Sequence, residues 1–168
     1  MAGCAPRGIA RIALDKNLMK FRFIWIGKTR DTNWKALQDD YLKRLSRFVK
    51  CEIGELKDSA LNESVDSEGN RILQVLNPST LVCLLDVKGR QINSHELAGQ
   101  IGKWQDDSVK EVTFVIGGVS GVSPKVVERA QSVLSLSFLT FTHEMARVVL
   151  LEQLYRAYTI IKGFPYQK

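Results

Sequence analysis

A run of glycines and a histidine–arginine pair are the features of this sequence whose residue types and spacing can support chemistry. The run Gly117–Gly121 (GGVSG) follows an apolar segment, and glycines let a ligand approach backbone amides closely because they carry no Cβ atom. His143 and Arg147 are four residues apart, which places them on one face of a helix. The sequence therefore suggests a ligand-binding loop beside two side chains that can transfer a proton or stabilise a developing negative charge.

Each of these features also has a structural interpretation. The glycines can simply form a sharp turn, and Arg147 can pair with Glu144 or another nearby acid. His143 falls in the first turn of a predicted helix, where the helix dipole disfavours protonation, so we expect a neutral imidazole. Residue types and spacing alone leave both interpretations open.

The order of the motifs excludes several familiar enzyme sites. A dinucleotide-binding loop follows the first strand and precedes an acidic residue by about 20 positions, whereas Gly117–Gly121 follows the fourth predicted strand. The sequence has no H-E-x-x-H motif, no Ser-His-Asp order, no P-loop lysine and no cluster of metal ligands. We therefore expect no metal.

Hydrophobic periodicity predicts alternating strands and helices around these features. The predicted strands are 20–26, 51–56, 81–87, 112–116 and 136–141, and the predicted helices are 34–48, 63–76, 94–104, 124–134 and 143–162. Lys88-Gly89-Arg90 is predicted to turn the chain after the third strand. This alternation indicates one α/β domain, with a mainly parallel sheet covered by helices on both faces.

Open parallel sheets bind ligands beyond the carboxyl ends of their strands. Three segments meet that description: Leu85-Asp86, Gly117–Gly121 and the stretch 136–141. We expect a binding site where these segments meet.

Composition limits the partners and the compartment. Among 168 residues, 24 Lys and Arg exceed 18 Asp and Glu, and a net charge of +6 favours a polyanionic partner such as nucleic acid. No apolar run approaches the roughly 20 residues that span a bilayer. The 3 cysteines show no disulfide or zinc spacing, which suggests a reducing compartment. A cytoplasmic protein without a membrane segment is expected.

The first 18 residues fit the rest of the sequence poorly. They contain Arg7, Arg11 and Lys16 but no apolar core of a secretory signal. An organelle transit peptide is one interpretation, and a natural start at Met19 is the one that we favour. We expect residues 1–18 to be an extension, unstructured or upstream of the natural start, and 19–168 to be a single domain.

Three segments carry a family resemblance. They are Met19–Gly27 (MKFRFIWIG), Phe114–Gly121 (FVIGGVSG) and 134–168, which begins LSLSFLTFTHEMARVVLLEQLYRA. Together they resemble the bacterial large-subunit rRNA pseudouridine N3-methyltransferases of the SPOUT superfamily. The resemblance covers residues 19–168, and the joint occurrence of the segments makes it specific.

The resemblance implies a fold, a cofactor and partners. The carboxyl-terminal segment would form a trefoil knot, a rare exception among protein chains. S-adenosyl-L-methionine would be the cofactor, ribosomal RNA or the assembled ribosome the substrate, and a homodimer the functional form, with a site built across two chains. The cofactor contacts of the family match Leu85, Gly117, Leu136, Ser137, Phe138, Leu139, Thr140 and Phe141.

Roles in catalysis are also implied. The imide nitrogen of pseudouridine must lose its proton before or during methyl transfer, so we expect Arg147 and Lys168 as electrostatic partners and His143 as base or orienter. Tyr166 and Lys168 would fold over the cofactor pocket. Gln167 stands where the family has histidine, which argues against an imidazole base at that position.

Two alternatives remain at this point. One is a SPOUT methyltransferase that acts on another rRNA or tRNA base, and the other is a nonenzymatic RNA-binding module with the same fold. Cofactor affinity separates the second from an enzyme.

Overall fold

Strands and helices alternate along the whole of the described chain. The computed structural model describes residues 19–58 and 63–167, so the expected extension 1–18 and Lys168 lie outside the described residues. The elements are β1 Lys20–Ile26, α1 Thr32–Leu45, β2 Lys50–Leu56, α2 Val65–Val75, β3 Leu81–Gln91, α3 Ser94–Asp106, β4 Glu111–Ile116, α4 Pro124–Arg129, β5 Ser132–Ser135 and α5 His143–Lys162, followed by a short 3₁₀ turn at Pro165–Gln167.

The five strands form one parallel sheet in the order β2-β1-β4-β3-β5. The six residues of β4, in the middle of the sheet, are all buried, in agreement with the buried strand predicted at 112–116. The predicted α/β fold with a parallel sheet is confirmed. The trefoil knot stays a prediction from the resemblance.

Alternating side chains of the strands build a core on each face of the sheet. Phe21, Phe23 and Trp25 of β1 belong to the larger core, which α1, α3 and α5 cover. Ile24 of β1 and Val115 of β4 belong to the smaller core, which α2 and α4 cover. Helices therefore cover both faces, as predicted.

Capping interactions fix where α5 begins and ends. The Thr142 hydroxyl accepts a hydrogen bond from the Met145 amide at 3.3 Å, so Thr142 is the N-cap of α5, as predicted. At the other end Gly163 adopts a left-handed conformation with φ of 68°, which glycine tolerates best. The first turn of α5, with His143, is thereby held next to the carboxyl ends of the strands.

The prediction that Lys88-Gly89-Arg90 turns the chain is wrong. Strand β3 continues to Gln91, because β5 pairs with both parts of it: Leu85 faces Leu134, and after a register shift Arg90 faces Leu134 as well. Residues 86–89 lie in the register shift between the two paired parts of β3, so the turn-type residues form an irregularity within the strand instead of ending it.

The predicted boundaries after the glycine loop are also wrong. Helix α4 ends at Arg129 and not near 134, and Ser132–Ser135 is strand β5. The stretch 136–141, predicted as a strand, is irregular. The apolar pattern near Leu134 is short enough to fit either element, and pairing with β3 decides between them.

In α1 the predicted apolar face is partly wrong. Leu37 is 43% exposed, whereas Gln38 is 1% exposed. The Gln38 amide oxygen accepts a hydrogen bond from the Thr29 hydroxyl at 2.6 Å. This hydrogen bond allows a polar side chain to take the buried position on this face of α1. The helix ends at Leu45, and Phe48 packs against the core from the segment after it.

Gly89 offers a test of the β3–β5 pairing. A Cβ atom at Gly89 would lie 2.6 Å from the Leu134 carbonyl carbon and 2.8 Å from the Ser135 nitrogen, and backbone atoms cannot easily move away. We expect Gly89→Ala to lower the unfolding free energy by about 2 kcal/mol, measured by urea denaturation.

The matched control is Gly99→Ala in α3, where nothing lies within 4 Å of an added Cβ atom. Alanine in an exposed helix position should raise stability by about 0.5–1 kcal/mol. Equal stability of Gly89→Ala and the wild type would contradict the pairing.

Candidate functional site

A cavity of about 290 Å³ opens beyond the carboxyl end of β4 and beside residues 85–87, where β3 stops pairing with β4, next to β5 and the first turn of α5. This is where the sequence predicted a site, since ligands of parallel sheets bind beyond strand ends. Of the predicted site residues, the structure brings these to the cavity wall: Leu85, Gly117, Leu136, Ser137, Leu139, Thr140, Phe141 and His143.

Phe138, Arg147 and Tyr166 are the predicted site residues that are described and do not line the cavity. Phe138 is 88% exposed, and it belongs to an exposed apolar rim with Leu139 and Val119. Lys168 lies outside the described residues.

Asp86 also lines the cavity, as expected for the segment Leu85-Asp86, although the sequence analysis assigned no individual role to it. It provides the one carboxylate among the described lining residues. Its Oδ1 atom accepts a hydrogen bond from the Lys88 amide at 2.8 Å, which holds the side chain in place. The available signal was its position, because Asp86 directly follows Leu85 at the end of the apolar part of β3.

The glycine loop forms a tight wall of backbone. Gly118 and Gly121 form an isolated antiparallel bridge, and the Gly121 amide donates to the Gly118 carbonyl at 3.2 Å. A Cβ atom at Gly117 would lie 2.7 Å from Cγ2 of Val122. A side chain at Gly117 therefore requires Val122 and the loop around it to shift.

His143 is half-buried at the cavity wall, in the first turn of α5. Burial is the main cause that lowers the pKa of its imidazole below the usual 6.5, and the positive charge of Arg147 lowers it further. Glu68 and Asp58 act in the opposite direction and raise the pKa. The direction agrees with the expected neutral imidazole, although burial is the main cause.

Arg147 is buried behind the cavity, with 2% exposure. Its guanidinium donates to the Thr29 hydroxyl at 2.9 Å and to the Ile26 carbonyl at 2.6 Å, and it lies 5.0 Å from the centre of the Trp25 ring. Burial lowers the pKa of the guanidinium. Arg147 thus connects α5 to the carboxyl end of β1.

The alternative partner of Arg147, Glu144, has a different contact. Its carboxylate accepts a hydrogen bond from the Arg30 amide at 2.6 Å. Glu144 and Arg147, both near the start of α5, therefore contact the end of β1 and the segment that follows it.

Tyr166 folds back against the middle of α5 and does not line the cavity. Its hydroxyl donates to the Glu152 carboxylate at 3.2 Å, and its ring packs edge-on against Tyr155 with centroids 4.8 Å apart. Glu152 follows His143 by nine residues of α5, which is about 14 Å along the helix axis. Within one chain, the Tyr166 hydroxyl is therefore held away from the cavity wall.

Two further findings concern the described residues only. Among them, no group of three or more His, Cys, Asp or Glu side chains is arranged to hold a metal ion. In the same part of the chain, no helix combines the length and the apolar character needed to cross a membrane.

A family model described as "Predicted SPOUT methyltransferase" matches residues 19–167. The chain belongs to the SPOUT methyltransferase family.

Curated relatives extend over most of the chain. A protein of Trichlorobacter lovleyi named "Ribosomal RNA large subunit methyltransferase H" is 45% identical over 151 residues, which cover 88% of this chain and 99% of that protein. A Koribacter versatilis protein of the same name is 42% identical over 149 residues, covering 88% of this chain and 97% of that protein. A crystal structure from Bordetella pertussis has a TM-score of 0.53 at 13% identity, covers 84% of this chain and 95% of that chain, and shows the shared fold.

The neutral state of His143 can be tested by NMR titration of the imidazole, with His143→Gln to assign its signal. We expect a pKa below 6.5, because burial disfavours the charged form. Because the imidazole pKa is lower in the folded state, the unfolded state binds the proton at a higher pH than the folded state does. The unfolding free energy should therefore fall as the pH drops below about 6.5, and this loss should be smaller in His143→Gln. A pKa above 6.5 would contradict the burial argument.

Proposed function

We propose that this chain is a cytoplasmic, S-adenosylmethionine-dependent methyltransferase that modifies N3 of a pseudouridine in large-subunit ribosomal RNA. The observation that carries the proposal is the cavity, because most of the cofactor positions implied by the resemblance meet in its wall. The names of the curated relatives support the ribosomal RNA substrate.

The cavity wall suits the cofactor chemically. Leu134, Leu136 and Phe141 offer apolar surface for an adenine ring, and the backbone around Gly117 offers polar groups for its edge. The cavity of about 290 Å³ lies near the lower end of the range for small-molecule sites. When bound, S-adenosylmethionine supplies an electrophilic methyl group on a positively charged sulfur.

The charged and titratable groups around the cavity suit a cationic cofactor and a substrate that must lose a proton. The Asp86 carboxylate attracts a cation at the cavity wall. His143, neutral at pH 7, can accept the imide proton of the target base, and its lowered pKa keeps it in the accepting form. The charge of Arg147 reaches the site through its effect on His143, which supports an electrostatic role without direct contact.

We propose a homodimer because Tyr166 packs against the middle of α5 and does not line the cavity of its own chain. In this proposal, Tyr166 and Lys168 cover the cofactor pocket of a second copy. The exposed apolar rim of Val119, Phe138 and Leu139 offers surface for such a contact.

The cofactor is tested by calorimetry with S-adenosylmethionine. Gly117→Val should weaken binding more than about tenfold, because a side chain there collides with Val122 and shifts the loop. Gly99→Ala, in an open helix position, is the control and should bind like the wild type. Wild-type affinity of folded Gly117→Val would refute this cofactor site.

The substrate is tested by mass mapping of ribosomal RNA from a strain that lacks the gene, before and after incubation with the protein. A methyl group should appear on one pseudouridine of the large-subunit RNA. Methylation of a different base would support the alternative SPOUT activity, and RNA binding without methylation would support the nonenzymatic module.

A mixture of two inactive variants tests the shared site. One is Gly117→Val, which keeps its tail, and the other lacks residues 166–168 but keeps its pocket. Random pairing makes half of the dimers mixed, each with one complete site, so about a quarter of wild-type activity should return. No recovery, or a monomer in light scattering, would contradict the dimer proposal.

A further inference from the structure

Glu68 lies in the first turn of α2, on the opposite face of the sheet from α5. Its Oε1 atom accepts a hydrogen bond from the Gly118 amide at 2.8 Å. Gly118 lines the cavity, whereas Glu68 does not. The carboxylate therefore holds the glycine loop from behind, on the side away from the ligand space.

The residues around the hydrogen bond between Glu68 and Gly118 are tightly packed. A Cβ atom at Gly118 would collide with the Glu68 carboxylate, and one at Gly117 would lie 3.8 Å from Oε1 of Glu68. Gly69, the next residue of α2, faces Ser123, and a Cβ atom there would lie 2.7 Å from Cβ of Ser123. The first turn of α2 is thus pressed against the glycine loop and the start of α4.

The first turn of α2 is itself well fixed. Ser64 is its N-cap, and its hydroxyl accepts a hydrogen bond from the Ser67 amide at 3.1 Å. The Glu68 amide donates to the Ser64 carbonyl at 3.1 Å. Glu68 is therefore attached to a rigid element, as a group that orients a loop must be.

The negative charge of Glu68 also reaches the other wall of the cavity. The groups whose charges act on His143 are Arg147 on its own helix, Glu68 on α2 and Asp58 after β2. Glu68 and Asp58 raise the imidazole pKa, and Arg147 lowers it. One carboxylate thus influences both the loop and the imidazole, which lie on different sides of the ligand space.

We propose that Glu68 is a positioning residue that holds the loop Gly117–Gly121 in the conformation that receives the cofactor. The identity of the cofactor rests on the function proposed above. A loop with three glycines loses much conformational freedom when it binds a ligand. A charge-assisted hydrogen bond that orders the loop beforehand reduces this cost and strengthens binding without touching the ligand.

Two substitutions separate the hydrogen bond from the charge. Glu68→Gln keeps an oxygen that can accept from the Gly118 amide but removes the charge, whereas Glu68→Ala removes both. By calorimetry with S-adenosylmethionine, we expect Glu68→Ala to bind about tenfold more weakly and Glu68→Gln to stay within about threefold of the wild type.

The matched control is Asp66→Ala. Asp66 is an exposed acid in the same first turn of α2, so its loss removes a similar interaction with the helix dipole. It should leave cofactor affinity unchanged. The pKa of His143, measured by NMR, should fall in both Glu68 variants and stay constant in Asp66→Ala.

Hydrogen exchange of the Gly118 amide tests the positioning without any ligand. It should become faster in Glu68→Ala while the unfolding free energy and the slowest core amides stay close to the wild type. Unchanged exchange at Gly118, or equal loss of affinity in folded Glu68→Gln and Glu68→Ala, would overturn the proposal. If the wild type itself does not bind S-adenosylmethionine, the proposed cofactor fails, and exchange at Gly118 still decides the role of Glu68.

Discussion

The buried guanidinium of Arg147 is the interaction on which this end of the molecule depends. Moving a cation out of water costs several kcal/mol unless its donors find partners, so its surroundings are strongly constrained. The Thr29 hydroxyl and the Ile26 carbonyl accept from its two terminal nitrogens, and the face of Trp25 lies against it, all from β1 or just after it, whereas its Nε atom has no hydrogen-bond partner among the described residues. The Thr29 hydroxyl in turn donates to Gln38 of α1, so one side chain joins α5, β1 and α1.

The cavity lies between the two helical layers that this sheet separates. On one side, α5 brings His143 to the wall, and Arg147 fixes that helix one turn further along. On the other side, α2 holds the glycine loop through Glu68. The ligand space is therefore bounded mainly by backbone and apolar side chains, and the charged groups of Arg147 and Glu68 lie behind its wall. Asp86 is the exception, because its carboxylate lies in the wall itself.

The sequence was sufficient where local patterns and burial agree. Strands β1 and β4 and helix α5 show clear periodicity and caps, and the prediction of a site beyond the strand ends followed from the parallel sheet. It was insufficient where a distant partner decides. The continuation of β3 through Gly89 depends on β5, and the burial of Gln38 depends on Thr29. The hydrogen bond between Glu68 and Gly118 joins residues 50 positions apart, and no local pattern indicates it.

The last long element of the chain also closes the larger core. Leu150, Leu154 and Tyr158 of α5 are buried in it against strand residues such as Phe21 and Phe114. During synthesis at roughly 5–20 residues per second, α1 and α3 can cover only part of the sheet face that contains Phe21, and the rest stays exposed until α5 has emerged. A nascent chain that stops before α5 is complete exposes this apolar face to water and to other chains. Truncation before α5 should therefore yield an aggregating product that chaperones must retain, and not a shortened protein with a partial fold.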